Sequence, residues 1–311
     1  MFEAVVTRRT TRESFVRLQS RPLRTFGPRV VLALLITGGW LPTHAQLASP
    51  ISSGSEGRLV PGELVWADLV TTDVEAAVAF YSNVFGWQRR DRGDPDYVEL
   101  ARGDELVGAV AAFEDDEVPP GGARWLVSIS VKDVDETARQ VVEFGGSVLE
   151  VPYDLPDRGR LAVVSDDQGA MLILLRAAGG DPLRSKAIPG AWAWAELWTR
   201  DIQKAVAFYE QAIGYRAVQD ENGEGQPPVV LTTQGEPRAT VVEIPWEYVE
   251  PNWLPYVLVA DGRQTLQRIL DSGGGVLFTS DDVAEDTGTF AAIVSDPTGG
   301  VFAIQELEAG Q

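Results

Sequence analysis

The chain has 311 residues, 44% of them hydrophobic and 9% aromatic, and a formal net charge of −20. That length allows two domains with proper cores, and so acidic a surface argues against nucleic acid and anionic lipid as partners. There is no cysteine and only one histidine, His44. Disulfides, thiolate metal sites and cysteine nucleophiles are therefore excluded; if His44 is cut away, so are His-based triads and ordinary zinc sites.

Residues 1–45 read as an export signal. Seven arginines precede the apolar run "VVLALLITGGWL" (30–41), and small residues stand at Thr43 and Ala45. This fits a basic n-region, an apolar core and cleavage after Ala45. The run is short for a membrane span; an uncleaved N-terminal anchor is the alternative. The segment carries seven Arg against two Glu, so its removal leaves a net charge of −25. The expected mature protein, 46–311, is exported, periplasmic or secreted, and not membrane-embedded. Residues 46–61 form a Ser/Gly/Pro-bearing leader.

From residue 62 the chain repeats itself. "WADLVTTDVEAAVAFY" (66–81) returns as "WAELWTRDIQKAVAFY" (194–209), with ten of sixteen residues identical. "EFGGSVL" (143–149) matches "DSGGGVL" (271–277), and "VVSDDQG" (163–169) matches "IVSDPTG" (293–299). This is a tandem duplication of 62–178 and 190–308, joined by a Gly- and Pro-bearing linker at 179–189. Within each half a fainter repeat of about sixty residues appears: Trp66/Asp73, Trp125/Asp133, Trp194/Asp201 and Trp253/Asp261 each mark a strand entering a helix. Each Asp suits an N-cap, and Val74, Ala77, Val78, Tyr81 and Phe85 fall at helical spacing before Gly86. Three β-like runs follow; in the first unit they are 87–90, 97–101 and 106–113. The unit is βαβββ, present four times, giving an α+β fold.

Four such units, opening on strand–Asp–"AVAFY…G" and closing each half on "D-D-Q-G" or "D-P-T-G", resemble the vicinal oxygen chelate superfamily. That superfamily includes glyoxalase I, extradiol dioxygenases and bleomycin-resistance proteins. The resemblance implies two glyoxalase-like open barrels in tandem, each enclosing a cup. It also implies where a metal would be held: seven residues before each capping Asp, and seven after the Asp of the closing motif. Those positions hold Trp66, Leu126, Trp194, Leu254, Ile173 and Ala303, none of which has a donor lone pair. Glu243 alone matches a further family ligand position. No metal centre and no cofactor is expected.

Residues two apart on a strand share a face. Trp66 and Asp68 therefore project together, as do Trp194, Glu196 and Trp198, and the resemblance turns them into the cups. An indole beside a carboxylate suits a cationic or flat aromatic small molecule. In the competing reading Trp66 and Trp194 plug the barrels as core, and the acids are satisfied by a neighbouring Arg or by backbone amides. Tyr97, Tyr153 and Tyr256 are further aromatic candidates for the cups, whereas Trp125 and Trp253 point away, towards core or interface. The alternative function is a glyoxalase- or dioxygenase-like lyase or isomerase using carboxylate ligands around Asp68, Glu196 or Glu243. A monomer acting as its own pseudo-dimer is favoured over a dimer.

Overall fold

The computed structural model describes residues 48–52, 57–113, 122–182, 188–219, 229–282 and 289–307. The expected signal segment 1–45 lies outside the described residues. The first unit is β1 (Leu64–Thr71), α1 (Val74–Phe85), β2 (Gln88–Arg90), β3 (Tyr97–Arg102) and β4 (Glu105–Ala112). The second is β5 (Arg124–Ser130), α2 (Val134–Glu143), β6 (Ser147–Leu155), β7 (Gly159–Ser165) and β8 (Met171–Ala177). The second half repeats both. Its first unit is β9 (Trp192–Thr199), α3 (Ile202–Ala212), β10 (Arg216–Gln219), β11 (Val229–Thr233) and β12 (Glu236–Glu243). Its last unit is β13 (Asn252–Val259), α4 (Gly262–Asp271), β14 (Gly275–Thr279), β15 (Ala291–Ser295) and β16 (Val301–Glu306). The four βαβββ units are as the sequence implied. Among the described residues no helix is long and apolar enough to cross a membrane.

The helix starts follow from the capping aspartates. Asp73, Asp133, Asp201 and Asp261 accept the amide protons of Ala76, Glu136, Lys204 and Gln264 at 2.8–3.0 Å. Gly86 ends α1 in the left-handed region, at φ 71°.

Each half is one eight-stranded sheet, in the orders β2-β3-β4-β1-β5-β8-β7-β6 and β10-β11-β12-β9-β13-β16-β15-β14. The two units of a half meet at an antiparallel pair, β1 with β5 and β9 with β13. Each of these central strands also runs parallel to the last strand of its own unit. Alternation along the strands then separates two faces. One packs under the helices; the other, turned away from them, is the cup face.

The helix-side cores are shared between the halves. One joins Leu69, Phe80, Tyr81 and Trp125 to Ile269, Val294 and Phe302; the other joins Val127, Val141 and Leu172 to Phe208, Tyr209 and Trp253. The first unit thus packs on the fourth and the second on the third. A hydrogen-bond chain runs through each core. Trp125 Nε1 donates to the Tyr81 phenol at 2.8 Å, and Tyr81 donates to Asp296 Oδ2 at 2.8 Å. Its counterpart is Trp253 to Tyr209 at 2.9 Å and Tyr209 to Asp166 Oδ2 at 3.2 Å. Each Asp spends its other oxygen on amide protons of its own turn, Thr298 and Gly300 or Gln168 and Ala170. Burial, and then the facing carboxylate, push both phenols well above the usual tyrosine range.

The paired glycines serve the same interface. A Cβ on Gly274 would lie 2.9 Å from Phe80 Cε2 and 2.6 Å from the Ser295 carbonyl; on Gly146 it would lie 3.1 Å from Phe208 Cε2 and 2.5 Å from the Ser165 carbonyl. Tyr209→Phe removes one hydroxyl and leaves both the Trp253 indole and the Asp166 carboxylate short of a buried partner. It is expected to lower stability by about 1–3 kcal/mol in urea unfolding; an unchanged midpoint would show that the chain contributes nothing.

Candidate functional site

The first cup is filled. Trp66 and Asp68 share the cup face of β1, and Trp66 Nε1 donates to Asp68 Oδ1 at 2.9 Å. The Tyr97 phenol, from β3, donates to the same oxygen at 3.0 Å. Over the Trp66 ring, 4.0 Å from its centroid, lies the guanidinium of Arg158, carried by the turn between β6 and β7. Arg158 Nη2 reaches the Tyr97 oxygen at 3.3 Å and Glu99 Oε1 at 3.1 Å. Glu99 also accepts the Ser49 amide and hydroxyl, each at 2.6 Å, so the leader is drawn down onto the cup. Ala48, Ile51, Leu155 and Leu161 complete an apolar lining with Trp66. The space left beside Asp68, Ser128 and Ile173 is about 20 Å³, room for about one water.

The second cup places the same kinds of residue differently. Trp194, the counterpart of Trp66, turns its Nε1–H to Thr240 Oγ1 at 3.0 Å. Glu196 takes its indole bond instead from Trp198, at 3.1 Å, and further bonds from the Tyr256 phenol at 2.7 Å and the Thr240 hydroxyl at 3.3 Å. All three donors are neutral. Glu196 is 9% exposed, and burial pushes its carboxyl above the usual glutamate range, with only those neutral bonds opposing. Burial raises the Asp68 carboxyl in the same way, and Arg158 opposes that shift only in part. Among the described residues no Arg or Lys forms an ion pair with Glu196.

The second cup face is also the more open one. Trp198, Val242, Tyr256 and Gln305 are half-buried where Val70, Ala111, Ser128 and Leu175, at the matching places in the first cup, are buried. Of the residues singled out from the sequence, Trp66 and Asp68 thus meet in one cup, and Trp194, Glu196 and Trp198 in the other. Tyr97 joins the first and Tyr256 the second; Tyr153 packs half-buried against the first cup's lining. Glu243 ends β12 exposed, one position out of phase with Thr240 and Val242, so it does not share their face. Trp125 and Trp253 lie in the cores between the halves.

Sequence reasoning missed Arg158, Glu99 and Ser49. A signal existed for Glu99: it stands two residues after Tyr97 on a strand, a charge at an inward position. Arg158 and Ser49 come from a turn and a leader with no periodicity to orient them.

At the positions that the resemblance gives for a divalent centre, the described residues offer no donor. Trp66, Leu126, Ile173, Trp194, Leu254 and Ala303 occupy the ligand positions as buried indoles and alkyl groups. Asp68 and Glu196 each stand as a single carboxylate held by indole and phenol donors, and among the described residues no three His, Cys, Asp or Glu gather.

Glu196 gives a stability signature. A buried acid whose folded pKa is raised adds stability that is full below its unfolded pKa of about 4.3 and is lost as pH rises through the folded value. Glu196→Gln can keep the bonds from Trp198 and Tyr256 without the charge. Its unfolding free energy should equal that of the parent near pH 4 and exceed it at pH 8, by about 1.4 kcal/mol for each tenfold weakening of the acid. Urea titrations at the two pH values check this; a variant less stable at pH 8 contradicts it.

Known proteins place the chain. The sequence profile of the glyoxalase/bleomycin resistance protein/dioxygenase superfamily matches residues 63–174 and again 192–304. A Mycobacterium bovis protein provisionally named glyoxylase CFP32 is 32% identical over 248 residues, covering 77% of this chain and 92% of that one. The anthracycline biosynthesis protein DauV of Streptomyces sp. strain C5 is 31% identical over 265 residues, covering 80% and 95%. Among solved structures, homoprotocatechuate 2,3-dioxygenase from Brevibacterium fuscum superposes with a TM-score of 0.58 at 15% identity, covering 84% of this chain and 86% of that one. The Mn(II)-bound glyoxalase of Novosphingobium aromaticivorans gives a TM-score of 0.55 at 16% identity, covering 79% and 82%. These two likenesses carry the fold alone. The chain belongs to the glyoxalase/bleomycin resistance protein/dioxygenase superfamily, with one match to the family in each half.

Proposed function

We propose that the protein binds a small cationic aromatic molecule in its second cup, without a metal. The observation that carries this reading is Glu196: a buried carboxylate whose three hydrogen bonds come from neutral groups, on a half-open face beside indole and phenol rings. A buried carboxylate with no counter-ion among the described residues is costly and favours any cation that reaches it. The first cup supports the same chemistry by example. There the cation over the indole, tied to a carboxylate, is the protein's own Arg158. The negative surface would steer a cation inward.

The names of two relatives bear on the ligand class. DauV and the Streptomyces peucetius protein DnrV, 30% identical over 268 residues, are both named for anthracycline biosynthesis. An anthracycline is a planar polycycle carrying an amino sugar, both flat and cationic. The reading extends to an exported protein cleaved after Ala45, and to a monomer, since one chain supplies both members of each packed unit pair. Turnover by a carboxylate-held metal remains the competing reading. It would need further oxygen donors beside Asp68 or Glu196, and Glu243 lies on the wrong face.

Calorimetric titration with proflavine, a planar tricyclic cation, tests the proposal. Glu196→Gln should weaken binding at least about tenfold, about 1.4 kcal/mol, and Asp68→Asn should leave it within twofold. Loss of binding in Asp68→Asn with retention in Glu196→Gln would place the ligand in the other cup and contradict the reading.

A further inference from the structure

The loop 244–251, between β12 and β13, extends the second cup's aromatic surface outward. Trp198 stacks on Trp246 with centroids 5.6 Å apart and planes at 20°. Trp246 stacks in turn on Tyr248 at 6.5 Å and 29°. The stack therefore begins at the indole bonded to Glu196 and ends at a tyrosine 75% exposed to solvent. It is held from below. Arg200, just past β9, donates to the carbonyls of Trp246 and Glu247 at 2.8 Å each, and to that of Val249. Val249 N–H closes a turn onto the same Trp246 carbonyl at 3.3 Å.

Core packing does not account for this. Tyr248 buries little, so holding its ring at the end of an ordered stack adds little to stability. Its use is as a surface. In the first half the place of Trp198 is taken by Val70, buried in the cup lining, so no such stack can start there. Glu247, in the loop itself, is exposed and adds a negative charge to this rim.

We propose that Trp198, Trp246 and Tyr248 form a preorganised platform for the flat, multi-ring part of a ligand whose positive charge is held at Glu196, with Arg200 as the positioning residue. The site then selects planar polycyclic cations over simple quaternary amines. Aromatic area beyond the cup is worth nothing to a small ammonium ion, whereas a polycycle lying along the stack gains an edge-to-face contact with each ring it passes. This inference rests on the reading of the second cup given above, and its test separates the two.

The test measures the affinity of the full chain for proflavine and for tetraethylammonium at one fixed ionic strength, in the parent and in Trp246→Ala, Tyr248→Ala, Arg200→Lys and Glu196→Gln. The parent should prefer proflavine. Trp246→Ala and Tyr248→Ala should each weaken proflavine at least about fivefold, about 1 kcal/mol, and leave tetraethylammonium within twofold. Arg200→Lys, which cannot fork onto three carbonyls, should shift proflavine in the same direction. Glu196→Gln should weaken both. Tyr248 is exposed, so its variant reads the platform even if Trp246→Ala unfolds. If proflavine binds Tyr248→Ala and Trp246→Ala as it binds the parent while Glu196→Gln loses it, the platform is refuted and the cup stands. If Glu196→Gln binds both probes as the parent does, the cup reading falls and the platform with it.

Discussion

The two Trp–Tyr–Asp chains hold the structure in its arrangement. Each places a tyrosine hydroxyl of one half against a buried aspartate of the other and locks the tyrosine with an indole donor. A hydroxyl, an indole N–H and a carboxylate buried without partners would cost several kcal/mol together, so this geometry leaves little freedom in how the halves meet. The neighbouring Phe80 and Phe208 close on Gly274 and Gly146, where no side chain could intervene. With the helix sides sealed against each other, both cup faces are left turned away from the joint. The short repeated motifs, "FY", "GG" and the closing aspartate, are therefore parts of one interface and not of a reaction centre.

With the scaffold fixed, the two cups were free to diverge. The acid on the central strand keeps its place, Asp68 and Glu196, but its surroundings change. In the first cup an arginine enters, stacks on Trp66 and pairs with Glu99, and the leader caps the assembly through Ser49. Burying such a pair adds little net stability, since desolvation offsets the attraction; its effect is to fill the cup with a fixed hydrogen-bonded network. In the second cup Val230 stands where Glu99 would be, and the indole that serves the carboxylate moves from two residues before it to two residues after it. Trp198 thereby links the carboxylate to the aromatic stack at the rim.

Much of the fold was legible because it is written in periodic and local signals. The four capping aspartates, the apolar spacing of residues 74–85 and Gly86 each name a physical need of one short segment. The duplication made the count of units certain. What the sequence could not say is which units touch. A tyrosine in "AVAFY" could meet the closing aspartate of its own half as well as that of the other, and the repeat treats both alike. The same limit hid the contents of the cups. Strand alternation placed Trp66, Asp68, Trp194, Glu196 and Trp198 on their faces, but Arg158 and Ser49 arrive from a turn and a leader, whose directions are set by tertiary contacts. The plug and the binding wall are alternatives for one pair of tryptophans in the sequence: Trp66 sits buried in a closed lining, and Trp194, buried as well, stands in a cup whose face is half-open at Trp198 and Tyr256.

We propose that the cups are unequal, one occupied by the protein's own arginine and one that takes an external cation. Native mass spectrometry of the chain with a saturating planar aromatic cation counts the sites directly. One bound molecule per chain is the result this account predicts. Two per chain would mean that Arg158 yields its place over Trp66, and none would mean that Glu196 is satisfied where it stands; either would contradict it.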